Sequence, residues 1–142
     1  MRTVAFGLAI PYHTAMSSQV PEPRLTVRLY SNGRVSPPIL ALVDSGADES
    51  VFHLDIATLL GIDVSTCVAE TGYTATGEPF TTYRSPVTIE ALGLHFNATV
   101  SFAPDLDPTE ALLGRAELFN EFLFAFDQRR RALLVGFYGA TR

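Results

Sequence analysis

Short runs of alternating apolar and polar residues, broken by glycine and proline, dominate this chain and predict strands more often than helices. Residues 3–10 are rich in β-formers and apolar on both faces, which predicts a first strand. The stretch 12–23 carries Ser17-Ser18 and two prolines and reads as a loop. Residues 24–31 then alternate cleanly, with Leu25, Val27 and Leu29 on one face and Arg24, Thr26 and Arg28 on the other. Asn32-Gly33 is the strongest hairpin signal present. The return strand passes Val35, is interrupted at Pro37-Pro38 as an edge strand can be, and resumes over 39–43.

Further along, residues 53–60 have helical spacing and stop at Gly61, a natural C-terminal glycine. Residues 62–69 read as extended. The segment 70–82 sets Gly72, Gly77 and Pro79 among threonines and two aromatics, which predicts a projecting hairpin that can flex. Two more strands, 83–90 and 94–102, flank Ala91-Leu92-Gly93, and 104–108 is an acidic loop. A second apolar run, 111–114, ends in glycine. Residues 115–121 read as a short helix, and 122–126 with 132–138 as a terminal hairpin over a turn at 127–131.

The composition narrows the class. A chain of 142 residues that is 47% hydrophobic and 18% charged can bury a real core, and 1–142 reads as one domain, with 1–23 an N-terminal strand and loop. A net charge of −5, with Arg129-Arg130-Arg131 as the one basic block, argues against a nucleic-acid partner. One cysteine, Cys67, excludes an internal disulfide and reads as a small buried apolar residue. Three scattered histidines give no zinc spacing, and no metal or organic cofactor is implied. No apolar run is long enough to span a bilayer, so no membrane partner is expected. The start mimics a signal peptide, but Pro11-Tyr12-His13 interrupts it, and a cytoplasmic protein is the expectation.

The candidate chemistry lies where the apolar run Leu40-Ala41-Leu42-Val43 meets Asp44-Ser45-Gly46-Ala47-Asp48. A carboxylate delivered to the end of a buried strand, beside a glycine that permits a sharp turn, is one way to present an acid to a cleft. The other reading of the same residues is a polar turn. His13, His53 and His95 read as ordinary turn or strand residues, and Ser45 lacks the Gly-x-Ser-x-Gly elbow of a serine hydrolase.

Leu42-Val43-Asp44-Ser45-Gly46-Ala47-Asp48 resembles the active-site motif of the retropepsin-like (retroviral-type) aspartic proteases, whose core is Asp-Thr/Ser-Gly-Ala. Leu112-Leu113-Gly114-Arg115 resembles that family's second signature, and the glycine-containing hairpin between them lies where the family has its flap. The resemblance covers about residues 25–135. Ala116 stands where the family often has Asn or Asp, and the flap segment has fewer adjacent glycines than many members.

The resemblance implies an all-β, closed-barrel-like acid-protease domain with one or two short helices, forming one half of a twofold dimer. It implies an aspartic endopeptidase in which Asp44 is catalytic and Ser45, Gly46 and Ala47 support the active-site loop. Ser45 would bond across the dimer axis and the Gly46 carbonyl would accept from the substrate. Asp48 and Arg115 would form a bracing ion pair, Leu112, Leu113 and Gly114 the second motif, and Thr74, Ala75, Thr76 and Gly77 the flap. One Asp-Ser-Gly per chain means that two copies must supply the two carboxyl groups. The partner is then a second copy, and the substrate an extended peptide or protein with side chains directed at Val51, Phe52 and Tyr73. Opening with Met1, the chain reads as a stand-alone cellular enzyme rather than a polyprotein segment. Two alternatives stand beside this: a non-catalytic dimerisation or peptide-binding module of the same fold, and an unrelated β-barrel that binds a small ligand.

Overall fold

A computed structural model describes residues 5–14 and 20–138. Strand β1 covers Leu8–Pro11, so the first strand starts later than the β-formers at residue 3 imply; residues 3 and 4 lie outside the described residues. Ser17 and Ser18 of the expected loop lie outside them too. On either side of that gap, His13 and Glu22 exchange backbone hydrogen bonds of 2.8 and 2.7 Å. Strand β2, Arg24–Ser31, buries Leu25, Val27 and Leu29, as its alternation predicts. Asn32 and Gly33 take φ of 52° and 71° and turn the chain into β3, Arg34–Val35. The prolines then cost the ladder two donors. Ser36 compensates in part, its buried hydroxyl accepting from Leu29 N–H at 2.9 Å.

The next elements are β4 (Ile39–Val43), β5 (Val51–His53) and helix α1 (Leu54–Leu59). Residues 62–69 are not simply extended: Val64–Thr66 form a 3-10 turn. Asp63 drives it, its carboxylate accepting from the Ser65 hydroxyl at 2.6 Å and from Ser65 N–H at 3.0 Å. Those two bonds hold the Asp63 pKa below the ordinary carboxylate value. Cys67 is half-buried rather than buried, with its thiol 3.5 Å from the Asp63 carbonyl oxygen.

A long hairpin follows, β6 (Val68–Tyr73) and β7 (Pro79–Ala91), then β8 (Leu94–Ala103) and the two-residue β9 (Leu112–Leu113). Helix α2 is shorter than 115–121 predicts and covers Leu118–Glu121. The backbone N–H groups of Arg115 and Ala116 are already committed to the carbonyls of Ala47 and Asp48, and Glu117 sits at φ 67°. The chain ends in β10 (Phe122–Asp127) and β11 (Ala132–Phe137), with the three arginines exposed in the turn between them.

Eight strands run in the order β3-β2-β4-β9-β5-β8-β7-β6, and a further pairing of β2 with β7 closes the inner six into a ring. The two halves of β2 make that closure: Arg24 to Val27 pair with β4, and Val27 to Tyr30 with β7. The fold is thus all-β and barrel-like, with two short helices. A second, three-stranded sheet, β1-β11-β10, packs onto it. The core is one cluster, whose largest fully buried side chains are Phe52, Phe102 and Phe122. Each contributes about 1.5–3 kcal/mol of apolar burial. Among the described residues no helix is long and apolar enough to cross a membrane.

Candidate active site

The acid is positioned by two short parallel strands. In β4 and β9, Leu42 lies against Leu112 and Val43 against Leu113. Leu42 N–H donates to the Ala111 carbonyl and Asp44 N–H to the Leu113 carbonyl, both at 2.9 Å. Val43 points its N–H the other way, to the Pro23 carbonyl at 2.9 Å. Both flanks of the strand are therefore held up to the residue where the chain leaves the sheet.

Asp44 is half-buried, while Ser45 and Gly46 are exposed. The Asp44 carboxylate accepts the Gly46 N–H at 2.9 Å, and Ala47 N–H returns to the Asp44 carbonyl at 3.2 Å. This tight Asx-type turn holds the acid in place by its own loop backbone. A Cβ at position 46 would lie 3.2 Å from the Asp44 carboxylate oxygen, a tight contact that the carboxylate would have to yield to by a few tenths of an ångström.

The second apolar run clamps the loop from beneath. Arg115 N–H donates to the Ala47 carbonyl and Ala116 N–H to the Asp48 carbonyl, both at 2.9 Å. Gly114 N–H donates to the buried Ser50 hydroxyl at 3.1 Å. A Cβ at Gly114 would sit 2.4 Å from the Glu49 carbonyl carbon and oxygen, so the two backbones touch where only glycine fits. On the outside, an Arg115 Nη2 donates to an Asp48 carboxylate oxygen and Nη1 to the Ser45 carbonyl at 3.4 Å. That pair is largely exposed, so its contribution is orientation more than stability.

Residues 74–77 form the tip between β6 and β7, away from this clamp. Thr74 N–H bonds the Glu78 carbonyl and Gly77 N–H the Thr74 carbonyl, both at 2.9 Å, and Gly77 takes φ of 85°. The Thr74 and Thr76 hydroxyls lie 3.0 Å apart, and Thr74, Ala75, Thr76 and Gly77 are all exposed. At its base the Phe80 ring covers Gly72 opposite, where a Cβ would come within 2.6 Å of the ring.

The structure thus brings together Asp44, Ser45, Gly46, Ala47, Asp48, Gly114 and Arg115, with Leu112 and Leu113 behind them. Phe52 is no exposed wall beside the acid: the middle residue of β5 is wholly buried, whereas Val51 is half-buried and Tyr73 is 69% exposed. A groove lies between β4, α1 and the loop before β9, with Phe52 beneath it. Arg24, Leu40, Ile56 and Asp107 are among its walls, and Asp44 is not one of them.

The sequence reading passed over Ser50, Glu49, Ser101 and Arg84. Ser50 carried a faint signal, a hydroxyl placed directly before the apolar pair Val51-Phe52. Substituting Ser50 by Ala leaves the Gly114 N–H buried without an acceptor, an expected loss of about 1–3 kcal/mol. Urea unfolding of the variant should show a lower midpoint at unchanged slope.

A sequence profile for the family described as aspartyl protease matches residues 25–116. Among solved structures, the chain is similar to a retropepsin-like aspartic protease from Rickettsia conorii, with 23% identity, a TM-score of 0.61, and 89% of this chain and 97% of that one covered. It is similar also to the retroviral protease-like domain of Ddi1 from Leishmania major, with 19% identity, a TM-score of 0.50, and 84% and 97% covered. Both likenesses are likenesses of fold. Comparison with curated proteins finds no match.

Proposed function

The chain belongs to the aspartyl protease family and has the retropepsin-like fold, and from that premise we propose that it is an aspartic endopeptidase active as a homodimer. The observation that carries this reading is the Asp44 loop: a half-buried carboxylate at the end of a parallel strand pair, clamped by backbone from Gly114 to Ala116. One such loop is present per chain, and the groove walled by Arg24, Leu40, Ile56 and Asp107 does not contain the acid. Both features fit a site that two copies make between them.

In the proposed mechanism, Asp44 of each copy flanks one water. Two carboxyl groups about 3 Å apart repel as a doubly charged pair, so the two share a single proton. The ionised member takes a proton as the water attacks the scissile carbonyl, and the protonated member hydrogen-bonds the carbonyl oxygen. The proton taken from water then passes to the amide nitrogen as the C–N bond breaks, releasing an amine and a carboxylic acid and leaving one proton on the pair. Ser45 bonds across the twofold and steadies both loops, and the Gly46 carbonyl accepts from the peptide. The Arg115–Asp48 pair braces the outer end of the loop, where its planar fork fixes direction. An extended peptide lies over the loops as an added strand, and the tips at 74–77 close on it and exclude water.

Subunit mixing tests the shared site. Adding an excess of Asp44→Asn protein to the wild type, followed by exchange, should lower cleavage of an extended apolar peptide below the wild-type dose, since mixed dimers hold one acid. Activity that stays strictly proportional to the wild-type subunit added would sink the two-copy site.

A further inference from the structure

One charged network joins the projecting hairpin to the far end of the Asp44 loop across the sheet. A single row of the register links Val68, Arg84, Ser101, Val51 and Leu112, and so crosses β6, β7, β8, β5 and β9. Arg84 Nη2 donates to a Glu49 carboxylate oxygen at 2.7 Å, and its Nη1 lies 3.5 Å from Glu70. The other Glu49 oxygen accepts from the Ser101 hydroxyl at 3.1 Å. Glu49 is the residue whose backbone is pressed against Gly114, and Glu70 belongs to the first strand of the hairpin. Arg84 therefore holds two carboxylates, one from the acid loop and one from the hairpin.

Arg84 Nε is buried with no hydrogen-bond partner. An apolar side chain of the same length would pack there without stranding a donor. The guanidinium is aimed by its two carboxylates, and without it both would lose the one cation they share. We propose that Arg84 is a positioning residue that ties the hairpin to the acid loop and so sets how firmly the 74–77 tip closes over bound peptide. The proposal rests on the endopeptidase reading for its effect on substrate, and on geometry alone for the tether.

Arg84→Met, Arg84→Lys and Glu49→Gln test it in the full chain, by amide hydrogen exchange without substrate and by cleavage of an extended peptide. Arg84→Met should speed exchange across 68–80 by about two- to fivefold, the effect of losing a partly exposed ion-pair network. It should raise KM by about five- to tenfold with kcat within about twofold. Arg84→Lys keeps the charge but loses the fork, and should recover part of both changes. Adding Glu49→Gln to Arg84→Met should change the exchange little further, because the shared contact is already gone. Unchanged exchange over 68–80 in a folded Arg84→Met protein overturns the tether, as does a loss in kcat at constant KM. If Arg84→Met does not fold, the exchange of Arg84→Lys and Glu49→Gln decides in its place. If the wild type cleaves nothing, the endopeptidase reading fails alone, and exchange still decides the tether.

Discussion

Replacing Asp44 by Asn is expected to lower kcat/KM for peptide cleavage by at least about 10³-fold, roughly 4 kcal/mol of transition-state stabilisation. The substitution conserves shape. Asn can still accept the Gly46 N–H that the carboxylate takes at 2.9 Å, so the turn and the strand behind it keep their geometry. What disappears is a side chain able to take a proton from water. Steady-state kinetics with an extended apolar peptide checks the loss, and a thermal melt and sedimentation run checks that fold and assembly survive. Cleavage within about tenfold of wild type by a folded Asp44→Asn protein would transfer the chemistry elsewhere and leave the non-catalytic module as the better description.

Gly114→Ala should be the most damaging single methyl group in the chain. The new Cβ would lie 2.4 Å from the Glu49 carbonyl carbon and oxygen and 2.7 Å from its nitrogen. These are backbone atoms, so no side-chain rotation relieves the clash. The 48–50 backbone must move, and the Gly114–Ser50, Arg115–Ala47 and Ala116–Asp48 hydrogen bonds move with it. An overpacked site costs about 1–3 kcal/mol and lost buried hydrogen bonds add about as much again, so a loss of about 3–5 kcal/mol is expected. In a domain of this size that lowers Tm by roughly 10–15 °C. Gly77→Ala is the control: nothing lies within 4 Å of its Cβ, although φ is +85°. The cost there is confined to the backbone, about 1–2 kcal/mol. A Gly114→Ala protein no less stable than Gly77→Ala would show that the two backbones can separate freely.

The individual strands and the turn at Asp44 were legible in the sequence because their signals are local, whereas the closed barrel was implied only by the family resemblance. Alternation in 24–31, Asn32-Gly33 and the apolar approach to Asp44 each act over a few residues. Where local signal and long-range contact disagreed, the contact decided. Residues 115–117 fall outside the helix because Glu117 takes φ of 67°, a conformation no α-helix holds, just after Arg115 and Ala116 are pinned to the carbonyls of Ala47 and Asp48, far back in the chain. Phe52 reads as a site-lining residue by its nearness to Asp44, yet β5 is flanked by β8 and β9, which turns its middle side chain into the core. The 3-10 turn at Val64–Thr66 had a local sign in Asp63-x-Ser65, outweighed by the surrounding β-formers. Arg84, Glu49, Glu70 and Ser101 are ordinary charged and polar residues in sequence, and only the register across several strands makes them neighbours.

The two-residue strand β9 also dictates a timetable. Leu112 and Leu113 have no place to settle until β4 and β5 are formed on either side, and those were made long before them during synthesis. Non-local pairings of this kind form late and slow folding toward milliseconds to seconds. A nascent chain that has emerged only through β8 carries its aspartate on an unanchored loop. The clamp on that loop therefore waits until Ala116 has cleared the ribosome, a delay written into chain topology itself.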